Sequence, residues 1–303
     1  MTQCPAHPTP LSGAAIRRAR ILVAFVTLVM AAHLVGPPAL AQGKPGPGAA
    51  TGLANQINNP AAPVTLFQFR DVLLPSVAGT SDVTNVLELQ PVFPIFPSRR
   101  TPFLQLIKMT MPIASLPSPI GESGLGDLQF FDLISIKEGW GRWGFGPALV
   151  FPTATADRLG GGKWQAGPAA AAIYTAIDNL QLGAIFQNPM SFAGDASRPA
   201  VNNLIITPVV TYNFPGYLIP GYWKHGWFVG LTDYDVTFNW EDGGAATIPL
   251  GVQLGRVFHV GKQPFSLSFE AGGAVKSPAS LPDPGLIMGI EFGVIFKGHR
   301  PDQ

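Results

Sequence analysis

From Val64 to Phe296 the sequence repeats one short pattern: large apolar residues at every second position, then a break of Gly, Pro, Asn, Asp or Ser. The clearest case closes the series. Leu286, Met288, Ile290, Phe292, Val294 and Phe296 alternate with a set that includes Gly289, Glu291 and Gly293. Side chains on a strand point to opposite faces in turn, so one face is continuously apolar and the other mixed. Spacing of two residues excludes an amphipathic helix, whose apolar positions recur at three and four. Ile248, Leu250, Val252, Leu254, Arg256 and Phe258 repeat the pattern opposite Pro249, Gly251, Gln253 and Gly255, and Phe265, Leu267 and Phe269 repeat it opposite Ser266, Ser268 and Glu270.

About twelve candidate strands follow from this template, starting near Val64, Val83, Pro102, Leu125, Trp143, Trp164, Leu180, Asn202, Trp227, Thr247, Phe265 and Gly285. The links between them alternate in length. Ser98 to Thr101, Glu138 to Gly141, Asp178-Asn179 and Val260 to Gln263 are short; Thr153 to Lys163, Ser191 to Val201, Asn239 to Ala246 and Lys276 to Asp283 are longer and polar. Short turns on one side and long loops on the other predict an all-β, transmembrane antiparallel β-barrel with the short side periplasmic, closed by the last strand pairing back onto the one near Val64. The link from Pro215 to Gly226 is long where a short turn is due.

Composition moves the picture toward lipid. Charged residues make up 12% of the 303 and hydrophobic ones 47%, with 35 Gly and 31 Pro; a soluble domain carries about 25% charge. After the first residues no apolar run reaches the roughly 18 to 20 needed for a membrane helix. A net charge of +1 offers nothing for nucleic acid. At the start, Arg17, Arg18 and Arg20 precede an apolar stretch from Ile21 to Leu34 and then Ala39-Leu40-Ala41. This is the order of an export signal, cleaved after Ala41. The expected organisation is a signal peptide over 1–41, a flexible periplasmic leader over 42–62, the barrel over 63–296 and a tail over 297–303. The single cysteine, Cys4, falls in the signal, which leaves no disulfide or thiolate metal site.

With the apolar face turned to lipid, the inward set comprises Arg70, Glu88, Gln90, Lys108, Asp127, Gln129, Gln181, Gln187, Asp233, Asp235, Gln253, Glu270 and Glu291. A Lys or Arg at the midplane of the lipid face costs about 2 to 4 kcal/mol, which sends such groups to the lumen, either as a pore lining or as a salt-bridged plug. Asp132 breaks the rule beside Phe130 and Ile134; it lies near an interface or its strand has another register. Trp140, Trp143, Trp164, Phe192, Trp223, Trp227, Phe238 and Trp240 fall at strand ends, as an interfacial girdle requires.

Several stretches resemble a known family. Ser123-Gly124-Leu125-Gly126-Asp127, Trp143 to Pro147 leading to Phe151-Pro152-Thr153, Gly160 to Pro168, Ser191 to Asp195 with Val201-Asn202, Asn239-Trp240-Glu241 and Val257 to Pro264 are similar to segments of proteobacterial outer-membrane barrels associated with phenol meta-pathway degradation. Members are labelled "transporter" or, wrongly, neuromedin U. The resemblance implies a barrel that passes small hydrophobic or aromatic compounds. This chain departs from the pattern at Pro215 to Gly226 and in the residues after Phe296, the candidate signal for the barrel-assembly machinery.

Rival chemistry is thin. His225, His259 and His299 fall in expected turns or the tail and share no metal-ligand spacing, so no metal or cofactor is expected. A lipid hydrolase with a Ser-His pair would place its histidine on a strand near the outer rim. Gly160-Gly161-Gly162-Lys163 lacks both the spacing and the Ser or Thr of a phosphate loop. The expected partners are outer-membrane lipids, the assembly machinery and a small hydrophobic solute. The expected function is a channel, with a structural, loop-displaying barrel of blocked lumen as the alternative and a lipid hydrolase behind it.

Overall fold

A computed structural model describes residues 47–75, 83–99, 101–117, 120–216, 225–278 and 285–296. The expected signal, the tail, His299, Trp223 and most of the 215–226 link lie outside the described residues.

Among the described residues one helix, α1 (Pro47–Ile57), precedes the strands. They are β1 (Thr65–Leu74), β2 (Thr84–Ile95), β3 (Leu104–Ser115), β4 (Ser123–Leu125), β5 (Leu128–Glu138), β6 (Gly141–Phe151) and β7 (Lys163–Tyr174). Next come β8 (Leu180–Gln187), β9 (Met190–Gly194), β10 (Asn203–Asn213), β11 (Trp227–Leu231) and β12 (Val236–Asn239). β13 (Ala245–Val260), β14 (Gln263–Lys276) and β15 (Leu286–Phe296) complete the set.

Neighbours pair antiparallel around a closed ring, and β15 returns to β1 with Thr65 opposite Phe296 and Arg70 opposite Glu291. Three staves of the barrel are broken in two. β4 runs into β5 across Gly126-Asp127, β8 into β9 across Asn188-Pro189, and β11 into β12 across Thr232–Asp235. Counting each broken pair as one stave gives a twelve-stranded barrel. The break at Pro189 has a direct cause, since proline offers no N–H to the ladder. The Asn188 amide fills the gap by donating to Asn202 Oδ1 and to the Asn203 carbonyl, both at 3.0 Å.

Alternation sorts the side chains as the sequence predicts. On β13 and β15, Leu250, Val252, Leu254, Leu286, Met288 and Ile290 are exposed, while Gly251, Gly255, Ile287 and Ile295 are buried. An apolar outer belt of this extent has no counterpart on a monomer bathed in water; it is the surface a lipid bilayer covers. Asp132 sits on that outer face with Phe130 and Ile134, because Gln129 and Phe131 line the interior. The register is therefore sound and the carboxylate is outward. Aromatic residues cluster at strand ends in stacked or edge-on pairs, including Trp140 with Tyr174, Phe151 with Trp164, and Phe238 with Trp240.

Two-residue hairpins at 139–140 and 261–262 mark one end of the barrel, with longer links at the other. The 214–226 link joins β10 to β11 at the short-turn end, as the strand count requires. His259 is the penultimate residue of β13 rather than part of a turn. The larger departure precedes the barrel, where a flexible leader is expected: Pro47–Ile57 is helical.

Candidate functional site: the lumen

The inward positions divide into two zones. At the short-turn end they are apolar. Leu66, Phe228, Val257 and Ile295 pack with Val64 around Ala54 of α1, and Leu106, Ile173 and Val209 pack around Ala61. The helix and the residues after it thus occupy the inside of the barrel at the end where the chain enters. Hydrogen bonds fix them there. Asn58 donates through Nδ2 to Asn213 Oδ1 at 2.8 Å, Gln181 Nε2 to the Asn55 carbonyl at 2.6 Å, and Ser135 Oγ to the Ala61 carbonyl at 3.1 Å. These pairings satisfy the Asn55 and Ala61 carbonyls and the Asn213 side-chain oxygen, which would otherwise be stranded in an apolar setting.

Above this floor lies a charged waist centred on Arg70. Register explains its composition: Arg70 stands opposite Glu88 of β2 on one side and Glu291 of β15 on the other. Its guanidinium does not choose Glu291. Nη2 reaches Glu270 Oε2 at 2.9 Å, Nε contacts both Glu270 oxygens at 3.2 Å, and Nη1 reaches Glu88 Oε2 at 3.3 Å. Gln90 Nε2 donates to the same Glu88 oxygen at 2.7 Å, and Gln68 Nε2 donates to Glu291 Oε1 at 2.8 Å. Arg70 and Glu270 are both almost fully buried, and such a pair holds only because the fork of donors meets acceptors on two sides.

The break between β11 and β12 shapes the waist further. At Thr232–Asp235 the chain leaves the wall, and Thr232 and Tyr234 are buried while Asp233 and Asp235 stay accessible within the lumen. The Tyr234 ring lies against the inner face of β13 and β14 at two glycines. A β-carbon added at Gly251 would stand 2.8 Å from Tyr234 Cε2, and one at Gly272 would stand 2.9 Å from it. Arg70 Cζ sits 5.1 Å from the ring centroid, a cation over an aromatic face. Thr207 donates from Oγ1 to Asp235 Oδ1 at 2.5 Å.

Between floor and waist is a cavity of about 170 Å³. Leu106, Phe131, Ile185 and Val209 supply an apolar side to it.

Nine of the thirteen sequence-selected residues line this cavity: Arg70, Glu88, Lys108, Gln129, Gln187, Asp233, Asp235, Gln253 and Glu291. Glu270 and Gln90 are buried behind it as partners of Arg70 and Glu88. Gln181 faces inward at the floor, under α1. Asp127 belongs elsewhere. It accepts N–H groups of Ala154 at 3.2 Å and Gly161 at 2.7 Å, so it fastens the 152–162 loop at the rim and is a correction to the lumen set. Its place in the Gly126-Asp127 break takes it out of alternation. Phe296 ends β15, edge-on to Phe67 at 5.7 Å. Sequence reading missed Gln68, Thr207, Tyr234, Asn58 and Asn213; Gln68, two positions before Arg70, was recoverable from alternation alone.

Among the described residues no group of three or more His, Cys, Asp or Glu could hold a metal ion. His225 and His259 lie at the short-turn end, beside the start of β11 and the end of β13.

The geometry defines a class, the closed antiparallel barrel of outer-membrane type. The fold is similar to that of the COG4313 outer membrane channel from Pseudomonas putida F1, with a TM-score of 0.52 at 16% identity over 77% of this chain and 94% of that one. The KdgM porin matches at a TM-score of 0.40 and 9% identity, covering 77% and 99%, and the outer membrane phospholipase A from Escherichia coli at 0.36 and 12%, covering 82% and 98%. No protein-family model matches the sequence, and no curated protein matches it.

Proposed function

We propose that the protein is a channel of the bacterial outer membrane giving passive passage to small, apolar or aromatic solutes, with α1 seated at the periplasmic mouth. The observation that carries this reading is the cavity in the lumen, apolar on one side and charged on the other, inside a barrel whose outer belt is built for lipid. The resemblance of motifs to barrels associated with phenol degradation supports the solute class. Outer-membrane lipids cover the belt, and Phe296 serves as the terminal aromatic read by the assembly machinery. Purified protein in liposomes is expected to admit a small phenol faster than protein-free liposomes do. Equal rates with correctly folded barrel would end the proposal.

A second reading, a structural barrel that displays its loops over a blocked lumen, draws on the way α1 fills the floor. It predicts that shortening Thr153 to Lys163 or Ser191 to Val201 abolishes binding of a surface partner and leaves permeability unchanged. Loss of permeability with those deletions would count against it.

A further inference from the structure

Four carboxylates line the cavity, Glu88, Asp233, Asp235 and Glu291, against two cations, Arg70 and Lys108. The imbalance is larger than this count, because the Arg70 guanidinium is already taken by Glu270 and Glu88. Among the described residues, Asp233, Asp235 and Glu291 have no basic nitrogen within 4.0 Å, and Lys108 has no carboxylate within that distance. Asp235 and Glu291 accept hydrogen bonds instead from the neutral Thr207 and Gln68.

We propose that the waist is a charge filter that favours small cations and cationic or neutral organic solutes and disfavours anions, including aromatic carboxylates. It rests on the channel reading and narrows its solute class. The physical cause is the field of unneutralised carboxylates inside low-dielectric walls, which concentrates counter-ions and repels co-ions along a narrow path. Asp233 and Asp235 carry most of it, because the β11–β12 break projects them from the wall into accessible space. Lys108 opposes it.

The test is reversal potential in planar bilayers across a steep KCl gradient, with neutral-sugar uptake into liposomes measured in parallel. The mature protein is expected to show a reversal potential of the sign set by potassium, with a cation-to-anion permeability ratio of several-fold. Asp233→Asn should lower that ratio, and combining it with Asp235→Asn and Glu291→Gln should bring it close to one. Lys108→Gln should raise it. Asp233→Asn is the variant least able to disturb folding, and unchanged heat-modifiable migration of each variant on gels confirms an intact barrel. A conducting wild type with no preference or an anion preference overturns the filter alone. So does an unchanged ratio in the triple variant. A folded barrel that passes neither ions nor sugar overturns the channel reading itself and the filter with it.

Discussion

At the floor of the lumen, Leu66, Leu106, Val257 and Ile295 meet Ala54 and Ala61 of the chain's own N-terminal segment; at the waist, Arg70 meets Glu88 and Glu270, and Asp233 and Asp235 meet accessible space. Both zones are inward positions of the same alternating strands, so strand geometry alone does not make them different. The floor is stable because apolar area leaves water, at about 1.5 to 3 kcal/mol for a fully buried leucine or valine. The waist exchanges hydration for a forked ion pair, which breaks roughly even while intact and becomes costly when one partner is removed. A floor of this kind can be closed by a helix. The waist keeps its accessible carboxylates facing open space.

Four substitutions probe that contrast. Arg70→Met should have the largest effect, about 3 to 5 kcal/mol, because it strands the buried Glu270 carboxylate. Urea unfolding of the barrel in lipid vesicles measures it, and adding Glu270→Gln should restore most of the loss; absence of rescue would show that packing, not charge, holds the waist. Leu106→Ala at the floor should cost roughly 2 kcal/mol by leaving a cavity beside Ala61. Asn58→Ala should cost about 1 kcal/mol, since a single amide bond to Asn213 is lost. Its clearer signature is faster liposome uptake as α1 loosens. Asp233→Asn should change stability by less than about 0.5 kcal/mol, as an accessible group with no ion-pair partner. A cost there matching that of Arg70→Met would erase the distinction between a structural core of the waist and a functional rim.

Much of the barrel was legible because a strand exposed to lipid on one side and a lumen on the other must alternate, and because turn lengths carry an independent record of which end is which. Gln90, Glu270 and Glu291 fell on the inner face for that reason alone. The helix was not legible. Pro47–Ile57 is rich in Gly and Ala and has no long apolar face; only the spacing of Leu53 and Ile57 and of Ala50 and Ala54 hinted at one. Small residues are what a narrow lumen admits, so the features that made the segment resemble a linker are those that let it enter. Asp127 and Tyr234 escaped for another reason. Each sits in a break of its stave, and alternation stops predicting direction once the chain leaves the sheet.

Barrel diameter grows with the number of strands, but the bore of this one at the waist is decided by a missing methyl group. Gly251 and Gly272 form the bed on which Tyr234 lies. A β-carbon at Gly272 would first meet the wall itself, 2.5 Å from the Leu250 carbonyl oxygen, whereas one at Gly251 would stand 2.8 Å from both Thr232 Oγ1 and Tyr234 Cε2 and so press the 232–235 segment, with Asp233 and Asp235, toward the barrel axis. The passage would narrow while strand number, register and net charge all stayed the same. A molecule with an unchanged outline in the membrane would then admit a smaller set of solutes.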